Sequence, residues 1–233
     1  MSAERVLAVC RLHGLDLLRR RLVLAMLAAM PVVIYLAIGD DLDGVVVGGT
    51  LMTFSIAGPA VFVVLAGRGI DRRLALAGYR PGDLVLGRVL LLDVVGLAVA
   101  AVFGGLVLVQ SSPPRPGLTI LGLALMALIA VLFGLALGAL LPGDLEAMLA
   151  MMAVVGVQLT AAESVVGALL PYHGPSELLW ESIGSDGAVA PAVVQTAVWV
   201  VVLLAVTTVA TAHRTRIHRV RAAVLGAERR STA

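Results

Sequence analysis

Residues 117–141 read GLTILGLALMALIAVLFGLALGALL, a run without a single charged side chain. At about 1.5 Å of helical rise per residue, this run is long enough to cross the roughly 30 Å hydrocarbon core of a bilayer. Five further apolar runs of comparable length lie on either side of it: 22–38, 44–67, 89–109, 145–162 and 188–212. The sequence therefore predicts an all-α integral membrane protein with six transmembrane helices.

The arginines indicate how these spans are oriented. All 17 basic side chains are arginine, and with six spans every one except Arg115 would fall on the same side of the membrane. Because positive side chains accumulate on cytoplasmic segments, we expect a multi-pass protein of the cell membrane with both termini in the cytoplasm. The outer segments instead carry acidic residues, namely Asp40, Asp41, Asp43, Glu163, Glu177, Glu181 and Asp186.

The overall composition supports a membrane location. Hydrophobic residues make up 60% of the chain and charged residues 14%, which is too apolar for a water-soluble domain of this length. The basic isoelectric point, near 9.2, would also suit a nucleic-acid-binding protein. The arginines lie at span ends, however, where anionic lipid head groups are found. We therefore expect membrane lipid, and no nucleic acid, as a partner.

Three regions follow from this pattern. Residues 1–21 mix apolar and charged side chains at helical spacing, which predicts an amphipathic helix on the inner membrane surface, with a frayed basic tail as the alternative. Residues 22–212 form the six-span domain. Residues 213–233 form a basic cytoplasmic tail.

The inner segment 68–88 is longer than a turn requires. Its first half consists of good helix formers, with Asp71 placed to cap a helix and Gly78 placed to end it. The sequence predicts a short cytoplasmic helix here, from Asp71 to Ala77, roughly parallel to the membrane.

The outer segment 163–187 is also long. It contains two short pieces, 164–170 and 176–183, on either side of a break rich in proline and glycine. Neither piece can span a bilayer, but together they can enter the outer leaflet and return if protein covers the break. We expect a re-entrant helical hairpin between spans five and six. An ordinary interfacial loop is the alternative.

Few residues offer chemistry within the spans. Asp93 should lie about 7 Å into the third span, where pairing with Arg88 is the expected role and proton or cation binding is the alternative. The chain has no lysine, so it lacks the glycine-rich loop whose lysine holds nucleotide phosphates. Its four histidines lie outside the spans, which disfavours an intramembrane serine or zinc enzyme. We expect no catalytic residue, no metal and no cofactor bound by this chain.

Taken together, the six spans, the N-terminal helix, the inner segment and the outer hairpin resemble the membrane subunit of a type-2 ABC exporter over nearly the whole chain. The most specific part is 71–88, DRRLALAGYRPGDLVLGR, with a charged start, a short helix and a proline-containing turn into the third span. The resemblance implies a permease dimer, homomeric or paired with a related subunit. It also implies two separate cytoplasmic ATPase subunits, which bind ATP and Mg.

The resemblance further implies roles for particular residues. In such transporters the inner helix after span two docks into a cleft of the ATPase, so the ATPase-coupling contact would consist of Arg72, Arg73, Leu74, Leu76, Gly78 and Tyr79. The apolar members suit an anchor and the arginines suit acidic groups on a partner. The outer gate and translocation path would include Gln158, Glu163, Pro171, Tyr172 and His173.

The sequence leaves the cargo and two rival functions open. Drugs, antibiotics, lipids and peptides fit an aliphatic passage, whereas the 4% aromatic content disfavours a polysaccharide. One rival is a secondary transporter driven by an ion gradient, for which Asp93 is the only intramembrane candidate. The other is a membrane anchor or assembly subunit that transports nothing.

Overall fold

The computed structural model describes residues 3–19, 21–38, 42–161, 164–184 and 188–231. Within these ranges the chain forms helices and no strands, which confirms the all-α prediction. In chain order the helices are α1 (Ala3–Arg19), α2 (Arg21–Ile38), α3 (Leu42–Leu76), α4 (Pro81–Gln110), α5 (Pro116–Leu140), α6 (Asp144–Thr160), α7 (Val165–Ala168), α8 (His173–Ser182) and α9 (Val189–Ser231).

Each of the six predicted spans corresponds to one helix, namely α2, α3, α4, α5, α6 and α9. Four stretches in the described part of the chain are long and apolar enough to cross a membrane: Gly44–Leu76, Pro81–Gln110, Pro116–Leu140 and Val189–Arg216. The other two helices are shorter, with 18 residues in α2 and 17 in α6. The fold is that of a multi-pass membrane protein.

Helix α5 lies at the centre of the bundle, where it packs against α3, α4, α8 and α9. Its closest contact is with α3. A Cβ atom added at Gly134 would lie 2.4 Å from the carbonyl oxygen of Ala57, and one at Gly138 would lie 2.9 Å from the Cβ of Val64. Since apolar burial does little to drive helices together inside a bilayer, such small-residue contacts supply much of the packing.

The C-terminal end of α5 is bound by two arginines from neighbouring helices. The predicted topology places this end on the inner side, and the terms inner and outer follow that prediction. Arg68 of α3 donates to the carbonyl oxygens of Pro142 at 2.5 Å and Leu141 at 2.6 Å. Arg214 of α9 donates to those of Gly138 at 3.5 Å and Leu141 at 3.4 Å. The last carbonyls of a helix have no partner within it and carry partial negative charge. These arginines therefore satisfy the end of α5 and join α3 and α9 to it.

Helix α1 occupies the predicted amphipathic segment and packs against the start of α4. Val6, Val9 and His13 form its buried side. The contact is close, because a Cβ atom at Gly87 would lie 2.8 Å from the Cβ of Val9. Four leucines are exposed on α1: Leu7, Leu12, Leu15 and Leu18.

The prediction of a separate coupling helix that begins at Asp71 is wrong. Helix α3 continues without a break from the membrane run to Leu76, because no proline interrupts it there and the Asp71 side chain bonds Arg88 instead of capping a helix. Gly78 does end the helix, with φ +89°. The amides of Gly78 and Tyr79 donate to the carbonyls of Ala75 and Leu74, which is a Schellman motif.

The last helix also continues past its predicted boundary. Helix α9 runs as one element from Val189 to Ser231, so the expected division between 22–212 and 213–233 falls inside a helix. The apolar run and the basic segment therefore share one axis.

Packing between α3 and α5 can be tested with a pair of matched substitutions. We expect Gly134→Ala to lower the melting temperature in detergent, because overpacking a close contact costs about 1–3 kcal/mol. Gly156→Ala on α6 is the control, since a Cβ atom there meets nothing within 4 Å. If both variants melt at the same temperature, the close α3–α5 contact is wrong.

Candidate functional site

The predicted coupling residues lie together at the inner end of α3 and in the turn to α4. Arg73, Leu76 and Gly78 are exposed, and the Leu76 side chain is 55% accessible. Leu74 and Tyr79 are half-buried. The sequence predicted an apolar anchor made of Leu74, Leu76 and Tyr79. Of these three side chains, Leu76 alone is exposed to a partner.

Arg72 belongs to the same stretch of α3 but lies beside a cavity. Its side chain is exposed and lines a cavity at the inner end of the bundle, next to Arg68 and Arg88. Arg73 is exposed and does not line that cavity. The two neighbouring arginines, treated alike from the sequence, therefore have different surroundings.

The turn after α3 is fixed by the N-terminal helix. Arg5 of α1 donates to the carbonyl oxygen of Gly78 at 3.1 Å, and its guanidinium carbon lies 5.6 Å from the centre of the Tyr79 ring. That distance is within the range of a cation–π contact. On the other side of the turn, the Arg80 amide donates to the Asp83 carboxylate at 3.1 Å, which starts α4. The connection between α3 and α4 is therefore a fixed surface.

A buried ion pair joins α3 to α4 behind this surface. The Nη2 atom of Arg88 lies 2.5 Å from the Oδ1 atom of Asp71, and the Arg88 side chain is 2% accessible. The expected local pairing between Arg88 and Asp93 is therefore wrong, because Arg88 points to α3. In the described structure the Oδ1 atom of Asp93 is buried without a hydrogen-bond partner.

On the outer side, the break between α7 and α8 is buried. Pro171 and Tyr172 are covered, and His173 is half-buried at the start of α8. The Tyr172 ring meets Phe133 of α5 edge to face, with centroids 5.6 Å apart. The Tyr172 side chain is completely buried there.

Helix α8 packs along α5 and α9. A Cβ atom at Gly122 would lie 2.9 Å from Leu179, and one at Gly174 would lie 2.5 Å from the Thr196 hydroxyl. Leu179 also approaches Gly49 of α3 to 2.7 Å by the same measure. The outer segment is therefore integrated into the bundle by close contacts with three helices.

Arg115, the arginine that the predicted topology places on the outer side, connects the start of α5 to the end of α8. Its guanidinium pairs with the Glu181 carboxylate, and its amide donates to the carbonyl oxygen of Ser182 at 3.2 Å. Arg115, the exception to the predicted charge asymmetry, is therefore paired with an acidic side chain close to it in space.

Gln158, another residue predicted for the outer gate, lies apart from this cluster. Gln158 is buried on α6, and in the described structure its side-chain amide has no hydrogen-bond partner. Helix α6 packs mainly on α3 and α5 rather than on α8. Glu163 lies outside the described residues.

The inner and outer groups lie far apart on one continuous helix. Gly49, beside Leu179 of the outer segment, and Leu76, at the inner surface, both belong to α3. At roughly 1.5 Å per residue, about 40 Å of helix separates them. The two groups are therefore connected by one helix, which contains Pro59 between them, without an intervening loop.

The comparison with known families identifies this architecture. The sequence model described as ABC-2 type transporter matches residues 11–165, about two thirds of the chain. The chain belongs to the ABC-2 type transporter family. No curated protein sequence matches it.

The family match covers part of the candidate site described above. It runs from α1 through the inner surface to the start of α7, and so includes Arg72 through Tyr79 and Gln158. Helices α8 and α9 lie beyond the matched residues. Among the described residues, no three His, Cys, Asp or Glu side chains form a group that could hold a metal ion.

Sequence reasoning missed the contacts made by four arginines. It assigned Arg5, Arg68 and Arg214 to topology and Arg88 to Asp93. In the structure these four arginines bind carbonyls or a carboxylate in distant parts of the chain. One signal was present in the sequence: an arginine at the inner end of a span can reach the unpaired carbonyls of an adjacent helix end. Only the folded structure shows which helix end each arginine can reach.

The buried ion pair behind the inner surface can be tested by a mutant cycle. We expect Asp71→Asn to lower the free energy of unfolding by about 3–5 kcal/mol, because it leaves the buried Arg88 without its counter-charge. Adding Arg88→Met should restore much of that loss. Asp144→Asn, at an exposed carboxylate, is the control. Strictly additive effects of the two substitutions would argue against the pair.

Proposed function

We propose that this chain is the membrane subunit of an ATP-driven exporter whose ATPase is a separate chain. Membership of the ABC-2 family, over residues 11–165, carries the proposal. The exposed, fixed surface at the inner end of α3 supports it, because a motor outside the membrane needs a rigid point of attachment.

The proposed topology has six spans, with α2 and α6 added to the four long helices. Helix α6, of 17 residues, extends about 26 Å, which is close to the thickness of the hydrocarbon core. Both termini then lie in the cytoplasm together with the arginine-rich segments. Each predicted apolar run has its own helix, and this agreement supports the count.

The ATPase docks, in this proposal, on an inner docking surface made of Arg73, Leu76, Gly78 and Tyr79. Leu76 offers the exposed apolar contact and Arg73 the charge for an acidic partner group. Two permease subunits, identical or related, carry two ATPase subunits that bind ATP and Mg. Arg5 supports the surface from behind, through its contacts with Gly78 and Tyr79.

The outer segment acts as the gate and enters the outer leaflet as a re-entrant hairpin. Support comes from Tyr172, which meets Phe133 well along α5 from the outer end at Arg115. The opposite end of α8 lies beside Arg115 itself. Helix α8 therefore leads from the outer end of α5 toward its middle, with the proline break at the deep end.

The cargo is a small lipophilic molecule, such as a drug, an antibiotic, a lipid or a peptide, taken from the cytoplasm or the inner leaflet. An apolar groove of about 310 Å³ between α2, α3 and α4 supports this choice. Ser55, Pro59 and Leu92 line it. Its walls offer no charge and little hydrogen bonding to a polar cargo.

Co-purification in mild detergent tests the proposal. We expect a nucleotide-hydrolysing subunit to accompany the chain and to be stimulated by the cargo. Proton-coupled flux by the chain alone would support a secondary transporter instead. Absence of both activities would favour a membrane anchor.

The inner docking surface predicts a specific uncoupled variant. We expect Leu76→Ala to weaken ATPase binding roughly ten-fold or more, because burying a leucine side chain contributes about 1.5–3 kcal/mol. Leu145→Ala is the matched control, since Leu145 is also an exposed leucine, at 70% against 55% for Leu76, and lies in the first turn of α6, next to the other inner connection. Co-purified ATPase per permease is the measurement. Equal retention by both variants would exclude Leu76 from the interface.

The topology predicts which cysteines an impermeant thiol reagent reaches. In a Cys10→Ser background, Pro114→Cys should be labelled in intact cells, because 111–115 is an outer connection. Ala77→Cys should be labelled only after permeabilisation, because it lies in the inner turn. Both positions are exposed, so burial does not explain a difference. The opposite labelling pattern would reverse the proposed orientation.

A further inference from the structure

A charged cavity lies at the inner end of the bundle, among the ends of α3, α5 and α9 and the start of α4. Its volume is about 250 Å³, far above the roughly 10–15 Å³ that one water molecule requires. The charged side chains in its lining are Arg68, Asp71, Arg72, Arg88 and Arg214. The cavity is part of neither the inner docking surface nor the outer gate.

The lining carries an excess of positive charge. Four arginines face a single carboxylate, that of Asp71, which already pairs with Arg88. The C-terminal end of α5 adds a partial charge of only about −0.5. More than two positive charges thus remain without compensation in this lining.

Capping of α5 does not account for this cluster. Arg68 and Arg214 both donate to the carbonyl oxygen of Leu141, at 2.6 and 3.4 Å, so two like charges are adjacent. In the described structure the Nε atoms of Arg68 and Arg88 are also buried without a hydrogen-bond partner. Buried donors are nearly always paired, and an anion in the cavity would offset the excess positive charge around them.

We propose that this cavity binds a phosphate group with net negative charge, carried by an anionic phospholipid of the inner leaflet or present as free phosphate. Guanidinium groups match phosphate oxygens in geometry and charge. The cavity lies where all four of the long, apolar helices meet the arginine-rich side. Basic pockets between spans at the cytoplasmic boundary suit lipid head groups.

Arg72 provides the sharpest test of this site. Its side chain is exposed and lines the cavity, and within the described residues no hydrogen bond or ion pair engages it. Its removal should therefore leave the fold intact. Arg73, the next residue, is equally charged and exposed but lies outside the lining, which makes it the matched control.

The experiment measures lipid and phosphate binding to the delipidated full chain. Native mass spectrometry gives the affinity for phosphatidylglycerol and for zwitterionic phosphatidylcholine, in the wild type, Arg72→Gln and Arg73→Gln. A parallel thermal-shift titration uses inorganic phosphate, with chloride at equal ionic strength as the reference. Melting temperatures without ligand check that both variants are folded.

We expect phosphatidylglycerol to bind at least five-fold more tightly than phosphatidylcholine, and Arg72→Gln to remove most of that preference while Arg73→Gln retains it. Stabilisation by inorganic phosphate that Arg72→Gln abolishes would support the site and identify free phosphate as its ligand. Equal binding of the two lipids together with no phosphate effect would overturn the proposal. So would equal behaviour of the two variants. None of these readouts depends on an ATPase, so they are independent of the proposed transport function.

Discussion

The contact between α3 and α5 is the constraint on which the rest of this structure depends. Glycines 134 and 138 allow the two helix backbones to approach closely, and Arg68 of α3 closes the inner end by binding the last carbonyls of α5. The last carbonyls of α5 have no partner within the helix, and Arg68 and Arg214 supply donors to them from other helices. With α5 fixed in this way, α4, α8 and α9 pack around it.

The same contact gives a physical basis for coupling across the membrane. Helix α3 passes from Gly49, beside the outer segment, to Leu76 at the inner surface without a break. Arg5 and the buried Arg88–Asp71 pair hold that inner end against α1 and α4. In the proposed transporter, a force applied by an ATPase at Leu76 would act on a continuous helix, with Pro59 inside it, that reaches the proposed gate. A flexible loop at either place would dissipate it.

The sequence predicted features that depend on neighbouring residues, and it failed for contacts between residues that are far apart in the chain. Composition and periodicity predicted an all-helical membrane protein and a helix over 117–141, because each residue of such a run favours the same environment. Gly78 was predicted to end a helix, because that requirement is local. The sequence failed at Asp71, since its partner Arg88 is 17 residues away on another helix, and local rules assigned it to a cap. The partnership of Arg115 with Glu181 likewise required the position of α8.

Transport in reconstituted vesicles tests the central claim, that the chain is a conduit powered by a separate ATPase, most directly. Vesicles would contain either the permease alone or the permease with its co-purified ATPase. ATP would be supplied inside the vesicles in one set of experiments and outside them in another. The account predicts movement of cargo against its gradient only with both proteins, and only with ATP on the arginine-rich side. Uphill transport by the permease alone would contradict it.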